Sequence, residues 1–347
     1  MGGFIKRHRW IVPYALLAPG ILWLFVFYVY PGIQMFIASF WSGTLETGFE
    51  FSLANWTNYP DAISGSSAQF IRAILYAGAA TLLTFLIAYP LAYTIAFKGG
   101  HYKALLLFLV VAPFFTSFLL RTISWKIILG DTGPMLGPLK EIGLLPQDFR
   151  VLAEPVAVVS GITYNFLPFM TLPIYVSLEK IDHRLVEAAK DLYAGPWRPG
   201  GAIGGFIFGA VLGGILGYIL YGAGEELAQV AITVAAWAIA GGVAGAVIAW
   251  TLISESFIRV TWPLSLPGVF AGSLLCFIPA IGDYVNAEFL GNPSTTMIGN
   301  VIQNKFLVQN DYPAASALSF TLMAGIIIAV AIYARALGTE GLTTGRG

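Results

Sequence analysis

Eight apolar runs of about the length needed to cross a membrane divide the 347-residue chain: Tyr14–Phe40, Phe70–Phe97, Ala104–Leu120 with a continuation to Leu129, Val156–Leu178, Ala202–Tyr221, Leu227–Ile253, Leu266–Leu290 and Ala314–Leu337. A helix needs roughly 20 mostly apolar residues to cross hydrocarbon, where every backbone N–H and C=O must be paired within the segment itself. The pattern predicts an all-α, polytopic membrane helix bundle of eight spans. With 57% hydrophobic and 10% charged residues and a mean hydropathy of +0.78, a water-soluble globule is excluded, since its outside could not be covered with polar groups. Prolines at 90, 113, 168, 173 and 279 interrupt the runs, which a bundle tolerates where neighbouring helices satisfy the freed carbonyls.

Lys6, Arg7 and Arg9 precede the first run as in a secretory signal, but the run is too long and no small-residue cleavage site closes it, so an uncleaved anchor is expected. Most Lys and Arg residues, among them Lys98, Lys103, Lys180, Arg184, Lys190, Arg259 and Arg335, share one side if the N-terminus is inside, while Glu46, Glu50, Asp131, Glu141 and Asp311 make the opposite side acidic. Charge counting in short loops therefore places both termini in the cytoplasm. The balance of 18 basic and 18 acidic residues gives no nucleic-acid footprint. The single cysteine and the scattered His8, His101 and His183 exclude an internal disulfide and offer no metal-ligand spacing.

Two long outer segments, Trp41 to Gln69 and Gly130 to Pro155, lack a hydrophobic period and read as surface loops, the first with one short helix. Arg121 and Lys126, near the outer end of the third run, are expected to snorkel to headgroups. The stretch 200–247 is rich in Gly and Ala, with small-residue spacings at Gly209, Gly213 and Gly217 and at Gly241 and Gly245 that predict close helix packing. Just before it, Ile181, Leu185, Ala188, Ala189 and Leu192 recur at helical spacing among Lys, Asp, Glu and Arg. An amphipathic helix too polar to span is expected here, either in a partner's groove, against the membrane surface, or as a solvated connector.

Glu187-Ala188-Ala189 followed by Asp191-Leu192, with the downstream run from Phe257 to Gly272, resembles the EAA loop of permease subunits of ATP-binding-cassette (ABC) importers. Pro113–Thr122, Asn165–Tyr175, Phe277–Tyr284 and Met297–Asn304 are similar to the spermidine/putrescine permease group. The resemblance implies one permease domain over 1–347: a six-span core, a cytoplasmic coupling loop split into 179–200 and 254–262, and an inserted Gly-rich hairpin of two spans at 201–253. Two crossings return the chain to the same face, so such an insertion preserves the sidedness of the downstream spans. Tyr193 stands where the family has glycine.

The resemblance further implies a multi-pass protein of the bacterial inner membrane, paired with a second related permease and fed by an extracytoplasmic solute-binding protein. A separate cytoplasmic ATPase dimer would receive the segment from Glu187 to Trp197. No GxxxxGK[ST] motif occurs, so no ATP site or other cofactor is expected in this chain, and it is not expected to be an enzyme. Glu187, Ala188, Ala189, Asp191 and Leu192 are the expected ATPase-coupling residues. For an organic polycation, Asp283, Tyr284 and Glu288 offer carboxylates and an aromatic face at the outer end of the path. The other readings are a packed structural acid for Asp283 and an interfacial residue for Glu288. Asn165 and Tyr175 either face the path or bond neighbouring helices. The competing functions are an ion-gradient-driven carrier, a permease for another small solute, and a membrane enzyme, for which no HExxH, GxSxG or Cys/His array is found.

Overall fold

The computed structural model describes residues 11–192, 206, 209–210, 213–214, 217, 235–236, 238–243 and 256–336. The expected inner-side termini, the segment from Tyr193 to Trp197 and most of the expected hairpin at 201–253 lie outside them. Two compact units form, one from Met1–Ser67 with Val301–Gly347, the other from Ala68–Asn300.

In the first unit, α1 (Ile11–Leu24) passes through a π-helical turn (Phe25–Val29) into α2 (Tyr30–Ala38). The Trp41 to Gln69 segment, expected to be a loop, holds an antiparallel hairpin of β1 (Trp41–Thr44) and β2 (Gly48–Phe51), then a 3-10 turn (Leu53–Thr57) and the start of α3 (Asn58–Lys98). The aromatic alternation of Trp41, Phe49 and Phe51 and the glycines at 43 and 48 are the hairpin's signal. Gly48 has φ +82, open to glycine without steric cost. Ser52 Oγ accepts from Ala54 N (3.2 Å), starting the 3-10 turn. Later in the chain, α11 (Ile298–Leu307) leads to α12 (Tyr312–Ala336), whose Phe320 meets Phe36 of α2 edge-on at 5.4 Å.

In the second unit α3 continues beyond a non-helical Ser66 (φ −130). It is followed by α4 (Lys103–Val111), α5 (Phe118–Ile128), α6 (Leu136–Glu141), α7 (Pro155–Glu179), α8 (His183–Leu192), α9 (Trp262–Ile281) and α10 (Val285–Leu290). Helix α6 lies in the segment 130–155, which the sequence reads as loop. Among the described residues five helices are long and apolar enough to cross a membrane, or six if the bent pair Gly100–Phe115 and Phe118–Ile128 is one span. These answer to six of the eight expected runs; the remaining two, Ala202–Tyr221 and Leu227–Ile253, fall mostly outside the described residues.

Two expected spans are broken. The third bends by 94° between Phe115 and Phe118. Pro113 has no N–H to continue the helix, Thr116 N closes a turn on Pro113 O (3.2 Å), and Thr116 and Ser117 are extended before Ser117 O accepts the first bond of α5. The seventh ends at Ile281 rather than Leu290. There the Asp283 carboxylate takes the Asn286 N–H (3.0 Å), so a side chain replaces a helical carbonyl and α10 starts afresh. Asp283 and Glu288 therefore stand on a break and a short helix, not within one continuous span.

Helix α7 is the most buried of the five candidate spans, at 67% of its apolar window. Its contact with α9 runs backbone to backbone. A Cβ on Gly268 would meet Pro173 O and come within 2.6 Å of Ser177 Cβ, and one on Gly272 would lie 2.8 Å from Met170 Sδ and 3.1 Å from Met170 Cα. Gly268 and Gly272 thus form a small-xxx-small face, which lets two helices approach where lipid provides no hydrophobic drive between them. Polar contacts fasten the same group: Tyr89 to Ser265 (2.8 Å), Thr84 to Thr163 O (3.4 Å) and Cys276 Sγ to Phe166 O (3.4 Å). In the Gly-rich stretch, a Cβ on Gly241 would meet Gly209 O and the backbone of Gly213, so these glycines touch.

Replacing Gly268 by Ala should destabilise the protein by about 1–3 kcal/mol, because the Pro173 carbonyl, Ile174 Cα and Ser177 Cβ that it would strike are fixed by the α7 backbone and cannot rotate away. Gly78→Ala, with nothing within 4 Å of its added Cβ, should not. Apparent melting midpoints of the two variants in detergent check this contrast.

Candidate functional site

Two regions collect the residues singled out in the sequence, one at each end of the α7–α9 pair. At the first, α7 ends at Glu179, whose carboxylate is paired with Lys103 Nζ at 2.7 Å, and Asp182 begins α8 by accepting from Arg184 N (2.9 Å). Helix α8 rests on the π-helical turn Phe257–Thr261 that precedes α9. The His183 ring meets Phe97 edge-on at 5.3 Å. Ile181, Val186 and Ala189 are buried.

The exposed side of α8 differs from the single apolar face that the sequence pattern implies. Leu185 is 54% exposed and Leu192 76%, and with Ala188 they form an i, i+3, i+7 stripe facing away from the protein. Glu187 and Asp191, one turn apart, are exposed as well. The five-residue turn beneath α8 is too narrow to cover every apolar side chain, so Ala189 seats the helix while Ala188 faces outward. Leu185 also borders a groove of about 790 Å³ lined by Leu172, Val176, Ile181, Leu264 and Pro267, which makes apolar surface continuous from the groove onto α8.

At the other end the polar residues converge. Asn286 of α10 donates from its side-chain amide to Asp283, and its Oδ1 accepts from Thr122 Oγ1 of α5 (3.3 Å) and Asn165 Nδ2 of α7 (3.2 Å). Asp283, Asn286, Thr122 and Asn165 are all buried. A Cβ on Gly161 would run into Leu290 and Asn286 Oδ1, so the glycine makes room for this junction. Asn165 Oδ1 has no hydrogen-bond partner among the described residues.

Tyr284 and Glu288 are exposed next to this junction. Asn300 Nδ2 bridges them, donating to Tyr284 O (2.9 Å) and Glu288 Oε2 (3.1 Å), while its Oδ1 accepts from Met297 N (3.2 Å). Arg72 ties the following loop to α3 through Thr296 O (2.8 Å). Asn165, Asp283, Tyr284 and Glu288 are thereby brought together. Tyr175 is not among them, since ten residues along α7 separate it from Asn165 by about 15 Å, leaving it one turn before Glu179.

Arg121 does not snorkel. It is buried in the bent pair with its guanidinium 5.6 and 5.7 Å from the ring centroids of Phe114 and Phe118. Thr122 and Asn300 fall within the stretches Pro113–Thr122 and Met297–Asn304 that carry the resemblance, but neither they nor Asn286 are singled out in sequence, and nor is the burial of Arg121, because what marks them is a bend and a junction between elements distant in the chain. The nearest signal is Pro113, eight residues before Arg121.

No family model matches the chain. It is 30% identical over 317 residues to the spermidine/putrescine transport system permease protein PotB of Haemophilus influenzae, covering 90% of each chain. To PotB of Escherichia coli it is 28% identical over 316 residues, 90% of this chain and 94% of that one. The inner membrane ABC transporter permease protein YdcU of E. coli is 24% identical over 274 residues, 75% and 68% of the two chains. Among solved structures, a bacterial ABC transporter involved in the import of the acidic polysaccharide alginate shares the fold with TM-score 0.54 at 17% identity, over 96% of this chain and 98% of that one. The alginate transporter in complex with its pentasaccharide-bound periplasmic protein gives 0.56 at 19%, over 95% and 94%. With a relative at 30% identity along nine-tenths of its length, the chain belongs to the spermidine/putrescine permease family of ABC importers.

Proposed function

We propose that the chain carries a polyamine across the bacterial inner membrane by alternating access, as one permease of an importer whose ATP is bound and hydrolysed by a separate cytoplasmic ATPase dimer. A second related permease completes the path, and an extracytoplasmic solute-binding protein delivers the cargo. Both termini are cytoplasmic in this reading, as the distribution of Lys and Arg favours. The observation that carries the coupling is the outward face of α8, where Leu185, Ala188 and Leu192 are bare beside Glu187 and Asp191 on a ten-residue helix. An apolar stripe continuous with a groove is the kind of surface a partner covers, and its acids supply polar contacts around an apolar centre.

ATP drives transport through α8 only if the docking free energy differs between the inward-facing and outward-facing states, because a contact equally good in both shifts nothing. The seat of α8 on the turn before α9 joins the handle to the helices that would move.

The junction at the other end supports a cationic cargo. Asp283, Glu288 and the unpartnered Asn165 Oδ1 are acceptors, Tyr284 presents an exposed ring, and the hydrogen bonds described among these groups involve no basic side chain. Ammonium groups on an apolar stem match that set through charge-assisted hydrogen bonds and cation–π contact. Tyr175 belongs to the far stretch of the same path.

In reconstituted complexes, Ala188→Arg should lower substrate-stimulated ATP hydrolysis by about tenfold or more, the scale of a coupling free energy of ~1–3 kcal/mol, while membrane insertion is unchanged. Undiminished stimulation would count against α8 as the handle. For the cargo, Asp283→Asn should raise the half-saturating polyamine concentration of uptake by about tenfold or more, as loss of a charged hydrogen-bond partner implies. Uptake at the parental level by a folded variant would remove Asp283 from the path.

A further inference from the structure

The β1–β2 hairpin is held by more contacts than a connecting loop needs. Its register pairs Trp41 with Phe51 and Thr44 with Gly48, leaving the three-residue tip Leu45-Glu46-Thr47. Thr44 N donates to Thr47 Oγ1 (2.9 Å), and Thr47 N donates back to Thr44 Oγ1 (3.3 Å). Below the tip, Trp41 stacks on Phe49 at 5.2 Å, and Phe49 meets Tyr312 of α12 at 5.6 Å. Asn58 Nδ2 donates to Ser39 O and Trp41 O (2.9 Å each), and Asn55 Nδ2 to Phe40 O (2.9 Å). An isolated two-stranded hairpin is marginal in water, so these ties are what hold this one in shape.

What the hairpin holds out is an apolar tip in an acidic setting. Leu45 is 58% exposed; Glu46 next to it in the tip and Glu50, opposite Ser42 in the third residue pair below, are exposed as well. From Trp41 to Gln69 the chain has three acids, Glu46, Glu50 and Asp61, and no Lys or Arg. Two features argue against lipid as the occupant. A two-stranded sheet has unpaired backbone groups along both edges, which excludes it from hydrocarbon, and acidic side chains without basic ones are repelled by anionic headgroups. A pre-shaped, exposed leucine with one carboxylate next to it and another along the same hairpin suits a protein surface with an apolar recess and a basic rim.

We propose that the tip, Leu45 with Glu46 and Glu50, is a docking point for the importer's extracytoplasmic solute-binding protein. This rests on the importer reading and the cytoplasmic termini given above, which put the hairpin on the outer face.

The test uses the full complex, both permeases with the ATPase dimer, in nanodiscs, and as probe the purified solute-binding protein that stimulates ATP hydrolysis by the parental complex. Leu45→Asp should raise the Kd of that protein about tenfold or more. The double change Glu46→Lys with Glu50→Lys should raise it too and flatten its dependence on salt. ATP hydrolysis without the binding protein should be unchanged in both. If the parental complex is stimulated and both variants bind with its Kd, the hairpin is not the docking point and the importer reading stands. If no solute-binding protein stimulates the parental complex, the importer reading fails and this surface with it.

Discussion

The backbone-close contact between α7 and α9 is the interaction on which both candidate regions depend. Gly268 and Gly272 let α9 lie against Met170, Pro173, Ile174 and Ser177, and the chain leaves this pair at either end into a region of interest. At one end α7 turns into α8, and α8 sits on the π-helical turn that opens α9. At the other, Asn165 of α7 meets the polar residues just past the end of α9. A side chain inserted at Gly268 would separate the helices that locate both.

Where these helices stop is governed by the same accounting of backbone groups. Within lipid an N–H that loses its carbonyl must find a side chain. Asp283 provides one for Asn286, and the resulting junction draws in Thr122 from beyond the bend of the third span. Breaks and polar clusters therefore coincide here, and both bring functional groups into contact from segments more than a hundred residues apart.

Much of this is legible in the sequence because lipid imposes a length on apolar runs: six of them appear as five helices and one bent pair. The amphipathic segment at 183–192 is visible from its spacing, and it is a helix. Its exposed stripe is not, since periodicity reports which residues share a face and not whether the support beneath is wide enough to cover them. The end of the seventh span escapes for a different reason. Hydropathy continues through Val285 and Leu290, whereas the chain breaks on a single carboxylate hydrogen bond. Arg121 looks interfacial in sequence because only the 94° bend brings the ring of Phe114 to a guanidinium that Phe118, one turn earlier on α5, already faces. The hairpin at Trp41–Phe51 goes unseen because its strands are four residues long, below the window in which alternation stands out.

Pro168 and Pro173 sit in the middle of α7, between Asn165 and Glu179. Each removes one rung of the helical ladder, leaving the carbonyls of Tyr164 and Phe169 without their usual donors. Between Asn165 and the start of α8, helix α7 therefore holds its shape with two fewer rungs of its own, and its packing on Gly268 and Gly272 of α9 takes over part of the task of keeping it straight.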